Sequence, residues 1–376
     1  MIVYVCATLF SIIFAAFSAK QLAVRSIQYG YGGSKYIKVS NKDFSNEFST
    51  FVFAFLSFLP LFFVSAFRYN VGKDYEGTYR IGFEAIASGG DVKNFEIGFK
   101  LINRFVLFFT KDYAGLFIVT AFLFCFFVYK AIYSQSVNPA FSIFLLVTSG
   151  FYFYSMNAVR QCIVISIFFY AIRYINEKNF KKYLFWILLA STIHLIALIY
   201  IPVYFIGKIR LSVTKTFVFL GASAIILPFL QKFIYYLIGF TKYSVYINSI
   251  YDTSEKGYIM PLINLAIILL AYYYKSIGKK DKDWDDTSYT LLLNIQIIAA
   301  FFSLCLGLFP LASRLFFSFF YNQIFLIPLI ITQEKKQNVR LILEFITVVL
   351  YSVYFIYTVG IQNSNTVLPY QTIFDR

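Results

Sequence analysis

Apolar runs of about 20 residues, parted by short clusters of charge, recur along the whole chain and decide which solvent it folds in. They are Ile2–Phe17, Phe51–Phe67, Tyr113–Ile132, Pro139–Tyr154, Arg160–Ile175, Tyr183–Ile206, Val213–Leu230, Tyr258–Tyr274, Leu291–Leu308, Leu311–Ile331 and Leu341–Val359. A bilayer core ~30 Å thick takes ~20 apolar residues of helix to cross. Charged residues make up only 14% of the chain, against roughly 25% in a soluble domain, and mean hydropathy is +0.70. Many of the 32 tyrosines lie at run ends, where an amphipathic ring suits the headgroup region. The expectation is an all-α, polytopic integral membrane helical bundle of about ten to twelve hydrophobic segments, some broken or re-entrant. No repeat or linker divides it, so residues 1–376 read as a single membrane domain.

Ile97–Phe109 is too short for an easy crossing and reads as re-entrant or interfacial, so 68–112 is expected as an extracytoplasmic loop with a short or re-entrant helix. The side follows from charge, because cytoplasmic loops collect Lys and Arg. Residues 20–42 carry Lys20, Arg25, Lys35, Lys38 and Lys42; residues 173–182 carry Arg173, Lys178, Lys181 and Lys182; residues 335–340 carry Lys335, Lys336 and Arg340. All three are expected in the cytoplasm. In 68–96 four cations meet five acids (Asp74, Glu76, Glu84, Asp91, Glu96), so that loop reads as outer. An odd number of crossings must then join the two loops. Tyr113–Ile132, Pro139–Tyr154 and Arg160–Ile175 supply three, which sets Arg160 at the outer face. Lys208, Arg210 and Lys215 also look cytoplasmic, so Tyr183–Ile206 must enter and leave on one side as a broken pair, with His194 near its turn.

The net charge of +15 reflects those loops and not a nucleic-acid surface, since no basic stretch forms its own domain. Cys6, Cys125, Cys162 and Cys305 lie in apolar runs without CxxC spacing and read as small hydrophobes. A single histidine excludes a His-rich metal site. Ala16-Phe17-Ser18-Ala19 resembles a cleavage site, but no basic n-region precedes it, so the N-terminal run is kept as the first helix.

Polar residues inside such a chain are the candidates for chemistry. Arg68-Tyr69-Asn70-Val71-Gly72-Lys73-Asp74-Tyr75 follows the second run directly. Its arginine can be a snorkelling anchor, while its glycine admits close backbone approach to a ligand. Asn157, Arg160 and Gln161 stand at i, i+3 and i+4, so one continuous helix would project all three from one face. A helix N-terminus with such donors suits an anion. His194 is the one histidine and lies in an apolar run; Arg314 begins another run as a flanking cation. Clustered arginines bind diphosphate oxygens in bidentate fashion. No Gly-rich phosphate loop or acidic metal cage accompanies them, which disfavours nucleotide hydrolysis; no metal or other cofactor is expected.

The order Arg68…Gly72-x-Asp74-Tyr75, Glu96-x-Gly98, Asn157-x-x-Arg160-Gln161, His194, Arg314 and Pro369-Tyr370 resembles the EpsG-like branch of the Wzy-type polysaccharide polymerases, with Ile97 standing where proline is common. The resemblance implies a bacterial inner-membrane glycosyltransferase joining undecaprenyl-diphosphate-linked oligosaccharide repeats into O-antigen, capsule or exopolysaccharide, its site facing the periplasm or exterior. Donor and acceptor are both lipid-linked, and a chain-length regulator protein is an expected partner. Arg68, Arg160 and Arg314 would stabilise the departing diphosphate, with Tyr75, Asn157, Gln161 and Tyr370 in the binding set. His194 is the first choice for the base, with Asp74 and Glu96 in reserve. The alternatives are a lipid-linked oligosaccharide flippase, which would be expected to carry repeat symmetry, and a membrane O-acyltransferase.

Overall fold

The computed structural model describes residues 1–28, 44–240, 242–247, 249, 259–278 and 286–376. Lys35, Lys38 and Lys42 of the first basic loop, and Tyr258 at the start of an expected run, lie outside them; so do the side chains of Lys20 and Arg25. Two compact units divide the chain, Met1–Ile201 with Leu343–Arg376, and Pro202–Ile342.

The first unit opens with α1 (Ile2–Gln28) packed along α2 (Phe44–Ala66). A π-helical turn, Tyr75–Arg80, runs into α3 (Ile81–Ala87), and α4 (Ile97–Phe109) follows. Next come α5 (Ala114–Gln135), α6 (Pro139–Thr148), α7 (Phe151–Asn157), α8 (Val159–Ala171), the single turn α9 (Arg173–Asn176) and α10 (Phe180–Ile193). Local chemistry fixes several boundaries. The Asn138 side chain accepts the Phe141 N–H at 3.1 Å with Pro139 in the first turn, and Asn179 does the same for Lys182; such caps satisfy donors that the helix leaves open. Gly150, at φ +88°, parts α6 from α7 where the pair bends by 51°.

Three passes of this unit are ordered by side-chain contacts. The Gln135 amide, at the end of α5, donates to the Phe169 carbonyl near the end of α8 at 2.6 Å. Ser136 and Ser142 meet at 2.7 Å where α6 begins, and α7 returns toward the start of α8. So α5 and α8 run parallel and pack on each other, and the broken α6–α7 pair that joins them runs back with α6 against α1. The three expected runs are thus three passes, although α8 is interrupted after Ala171 and is shorter than an uninterrupted span. The run Tyr183–Ile206 is broken as the loop charges required. α10 ends at Ile193, His194 is extended (φ −155°, ψ 124°), and a 3-10 turn occupies Leu195–Tyr200.

The second unit holds α11 (Val203–Ile206), α12 (Val213–Gly239), α13 (Ile259–Gly278), α14 (Asp286–Leu304), α15 (Ala312–Phe320) and α16 (Gln323–Thr332). Its interior is polar at intervals: Asn294 donates to the carbonyls of Ile206, Gly207 and Ile209, and Gln296 donates to Asn264 at 2.6 Å. In α17 (Gln337–Phe355) the residues from Leu343 onward belong to the first unit. Among the described residues, seven helices are long and apolar enough to cross a membrane, or eight if the bent α6–α7 pair is one span. No strand is present among them, only an isolated bridge between Arg68 and Thr372. The chain is an all-α, multi-pass membrane bundle.

Candidate functional site

The segment after α2 is held by the chain's last residues. The Tyr69 N–H donates to the Gln371 carbonyl, Gly72 to Thr366 and Ile373 to Phe67, each at 2.9 Å. Gly72 sits at φ +107°, and a Cβ there would lie 2.4 Å from the Met156 carbonyl oxygen. Only glycine allows both the backbone conformation and the approach. That approach lets the Asp74 N–H donate to Asn157 Oδ1 at 3.2 Å. Tyr75 then stacks on Phe117 of α5, centroids 4.0 Å apart and 5° from parallel.

Arg68 ends up inside this junction, only 1% exposed. Its Nη1 donates to the Ser65 carbonyl at 2.5 Å and to Ser65 Oγ at 3.2 Å, and its guanidinium lies 4.8 Å from the Phe117 centroid. Nε has no partner. Among the described residues no carboxylate contacts the guanidinium, and burial pulls its pKa below the usual arginine value. Tyr370 donates to the Val64 carbonyl at 3.0 Å and packs edge-on against Tyr4.

A second cluster forms where α4, α8 and α10 meet. Glu96 stands immediately before α4; its Oε2 is 2.6 Å from Arg160 Nη1 and its Oε1 is 3.2 Å from His194 Nδ1. The Leu195 N–H also points at Oε1, at 3.4 Å. Arg160 Nη1 donates to the Asn94 carbonyl at 2.7 Å as well, and the guanidinium packs over Phe95 and Phe99. The Arg160 backbone N–H reaches the Tyr79 hydroxyl at 3.5 Å. Burial alone raises the Glu96 pKa, but the His194 hydrogen bond and charge, then Arg160, outweigh it and hold the carboxyl down at about 2. Gly98 makes the junction possible: a Cβ there would come within 2.3 Å of Thr192 Oγ1 and 2.8 Å of the Thr192 carbonyl carbon and oxygen. This close crossing of α4 over the end of α10 delivers Glu96 to the helix break at the buried His194.

The structure therefore divides the expected residues. Glu96, Arg160 and His194 form one contiguous group. Arg68, Tyr75 and Tyr370 lie at the junction beside it, and Asp74, Tyr79 and Asn157 link the two. Asn157, Arg160 and Gln161 do not share a helical face, because the helix breaks at Ala158 (φ −84°, ψ 59°). Asn157 closes α7 and turns to Asp74, Arg160 goes to Glu96, and Gln161 is buried and accepts from the Tyr154 hydroxyl at 3.3 Å. Arg314, in the first turn of α15, belongs to the second unit. Sequence reasoning missed Ser65, Tyr79, Phe95 and Phe99. The only signal was the 3.6-residue spacing of the aromatic face leading into α4.

No curated protein and no solved structure matches the chain. The family model described as the EpsG family matches residues 51–372, which takes in both clusters and the bundle from within α2 onward, leaving out α1. This multi-pass membrane chain belongs to the EpsG family, and that membership suggests a polysaccharide-polymerase-like function.

Proposed function

We propose that the protein is a glycosyltransferase of the bacterial inner membrane that polymerises undecaprenyl-diphosphate-linked oligosaccharide repeats on the outer side. The observation that carries this reading is the single carboxylate of Glu96 bridging Arg160 and His194. In the reaction a hydroxyl of the incoming repeat attacks the anomeric carbon of the growing chain. A C–O bond forms, the bond from that carbon to the lipid diphosphate breaks, and the electron pair leaves with the diphosphate.

The hydroxyl proton needs an acceptor, which His194 supplies. When Nδ1–H donates to Glu96, the neutral ring carries its basic lone pair on Nε2, and the ring is held in one tautomer and orientation. Glu96, whose carboxyl the His194 hydrogen bond and the Arg160 guanidinium hold below the usual carboxylate range, binds protons too weakly to be the base near neutral pH. It acts instead through His194 and Arg160. Arg68 is buried with no carboxylate against it among the described residues, and we assign it to the leaving group. A cation in that setting is costly unless an anion faces it, and one fixed in place stabilises the diphosphate most as its charge grows. Purified protein mixed with lipid-linked repeats should produce a ladder of polymer lengths. Substrate that crosses the bilayer without lengthening would replace this reading with transport.

A further inference from the structure

We propose that α4 is a membrane-docking helix that lies along the phospholipid headgroup layer on its exposed face. Both its ends sit at one end of the first unit. Its start is fixed by Glu96 to Arg160, at the beginning of α8. Its end packs at the beginning of α5, where a Cβ on Gly115 would meet Val106 Cγ1 at 2.7 Å and Thr110 Cγ2 at 2.8 Å. Those two beginnings lie together, because Tyr75 stacks on Phe117 while Asp74 and Tyr79 reach Asn157 and Arg160. α4 therefore does not advance along the bundle. At ~1.5 Å per residue its 13 residues span ~20 Å, short of the ~30 Å core.

Its two faces differ sharply. Phe99, Asn103 and Val106 are buried on one. Ile97, Leu101, Phe105 and Phe108 recur at i, i+4, i+8 and i+11 on the other, with Phe109 beside them; Phe108 is 84% and Phe109 69% exposed. Exposed apolar area of that extent marks an interaction surface. Charge identifies the occupant as a lipid surface. Lys100 and Arg104 line one edge of the apolar arc, and Lys93 and Lys111 stand exposed beyond the two ends. An apolar face edged by cations fits the boundary between acyl chains and phosphate headgroups. Lys100 also pairs with Asp91, which leaves Arg104 as the cation best placed for phosphate.

Docking would hold Glu96, Arg160 and His194 at headgroup depth, where the diphosphate of a lipid-linked substrate lies; that consequence rests on the proposed function, the docking itself does not. Spin labels placed singly at residues 101, 105 and 108 test it, in Cys6→Ala protein, since Cys125, Cys162 and Cys305 are buried. The full chain is reconstituted in vesicles of phosphatidylethanolamine and phosphatidylglycerol. Oxygen should relax all three labels severalfold more than a water-soluble nickel complex does, at one common depth ~5–10 Å below the phosphates. Nickel exceeding oxygen would mean a water-facing helix, and low access to both would mean a protein partner. Depth growing by ~1.5 Å per residue from 101 to 108 would mean a re-entrant helix. Each of these three results overturns the docking, whether or not the protein makes polymer. Absence of polymer with the common depth intact overturns the proposed function and leaves the docking standing.

Discussion

Replacing Glu96 by glutamine keeps the side chain's shape and removes the charge on which two partners depend. Its contacts run to Arg160 Nη1 at 2.6 Å and His194 Nδ1 at 3.2 Å, with the Glu96 and Arg160 side chains 9% and 14% exposed. With His194 protonated the carboxyl titrates at about 2, against ~4.3 for an unperturbed glutamate, and at ~1.4 kcal/mol per pH unit this is worth ~3 kcal/mol in that state and less where His194 is neutral. Stranding one member of a buried ion pair typically costs ~3–5 kcal/mol, which agrees. The sign follows from a depressed folded-state pKa: the carboxylate's contribution is present above ~4.3 and is lost as pH falls through about 2, and the share held by Arg160 is the one that persists at pH 7. Thermal unfolding in lipid nanodiscs should therefore show Glu96→Gln destabilised at pH 7, with the gap to wild type narrowing below pH 4. Adding Arg160→Met to Glu96→Gln removes the stranded cation and should recover most of the stability, while polymer synthesis stays lost. A Glu96→Gln protein with wild-type unfolding at pH 7 and a normal polymer ladder would refute the bridging role.

Arg160→Ala and Arg160→Lys should both reach the membrane at normal levels yet lose polymer, by ~100-fold or more, since an ammonium has no planar group to lie over Phe95 and Phe99 while it reaches Glu96 and Asn94; quantitative polymer blots against membrane levels decide it. Gly98→Ala should cost ~1–3 kcal/mol by overpacking, and adding Thr192→Ala should not restore it, because the clash includes the Thr192 backbone. His194→Gln should lower the turnover rate more than substrate affinity, and wild-type activity should fall as pH is lowered and the base is protonated; a flat pH–rate profile removes His194 from proton transfer. Single cysteines at positions in 68–96 should react with an impermeant thiol reagent in outer-permeabilised cells while those in 173–182 stay protected, and the reverse pattern inverts the proposed orientation.

Hydropathy made the membrane class legible from the sequence, because the need for ~20 apolar residues per crossing acts on each helix separately. Loop charge went further: cations on both sides of Tyr183–Ile206 demanded a broken segment, and the chain does break at His194. The periodicity of 157–161 misled where it assumed an unbroken helix. The turn at Ala158 is set by Gly72 pressing on Met156 and by Asp74 holding Asn157, contacts more than 80 residues away in sequence.

The sequence by itself determined the solvent, the helices and which polar residues were costly enough to need a reason for being there. The tertiary structure decided their pairing. Glu96 lies 64 residues from Arg160 and 98 from His194, and the tail at Thr366–Ile373 closes over a segment that follows the second helix. Apolar spacing is a property of one helix. Which carboxylate neutralises which cation depends on how closely two helices can cross, and here that closeness rests on the hydrogen-sized side chain of Gly98 against Thr192.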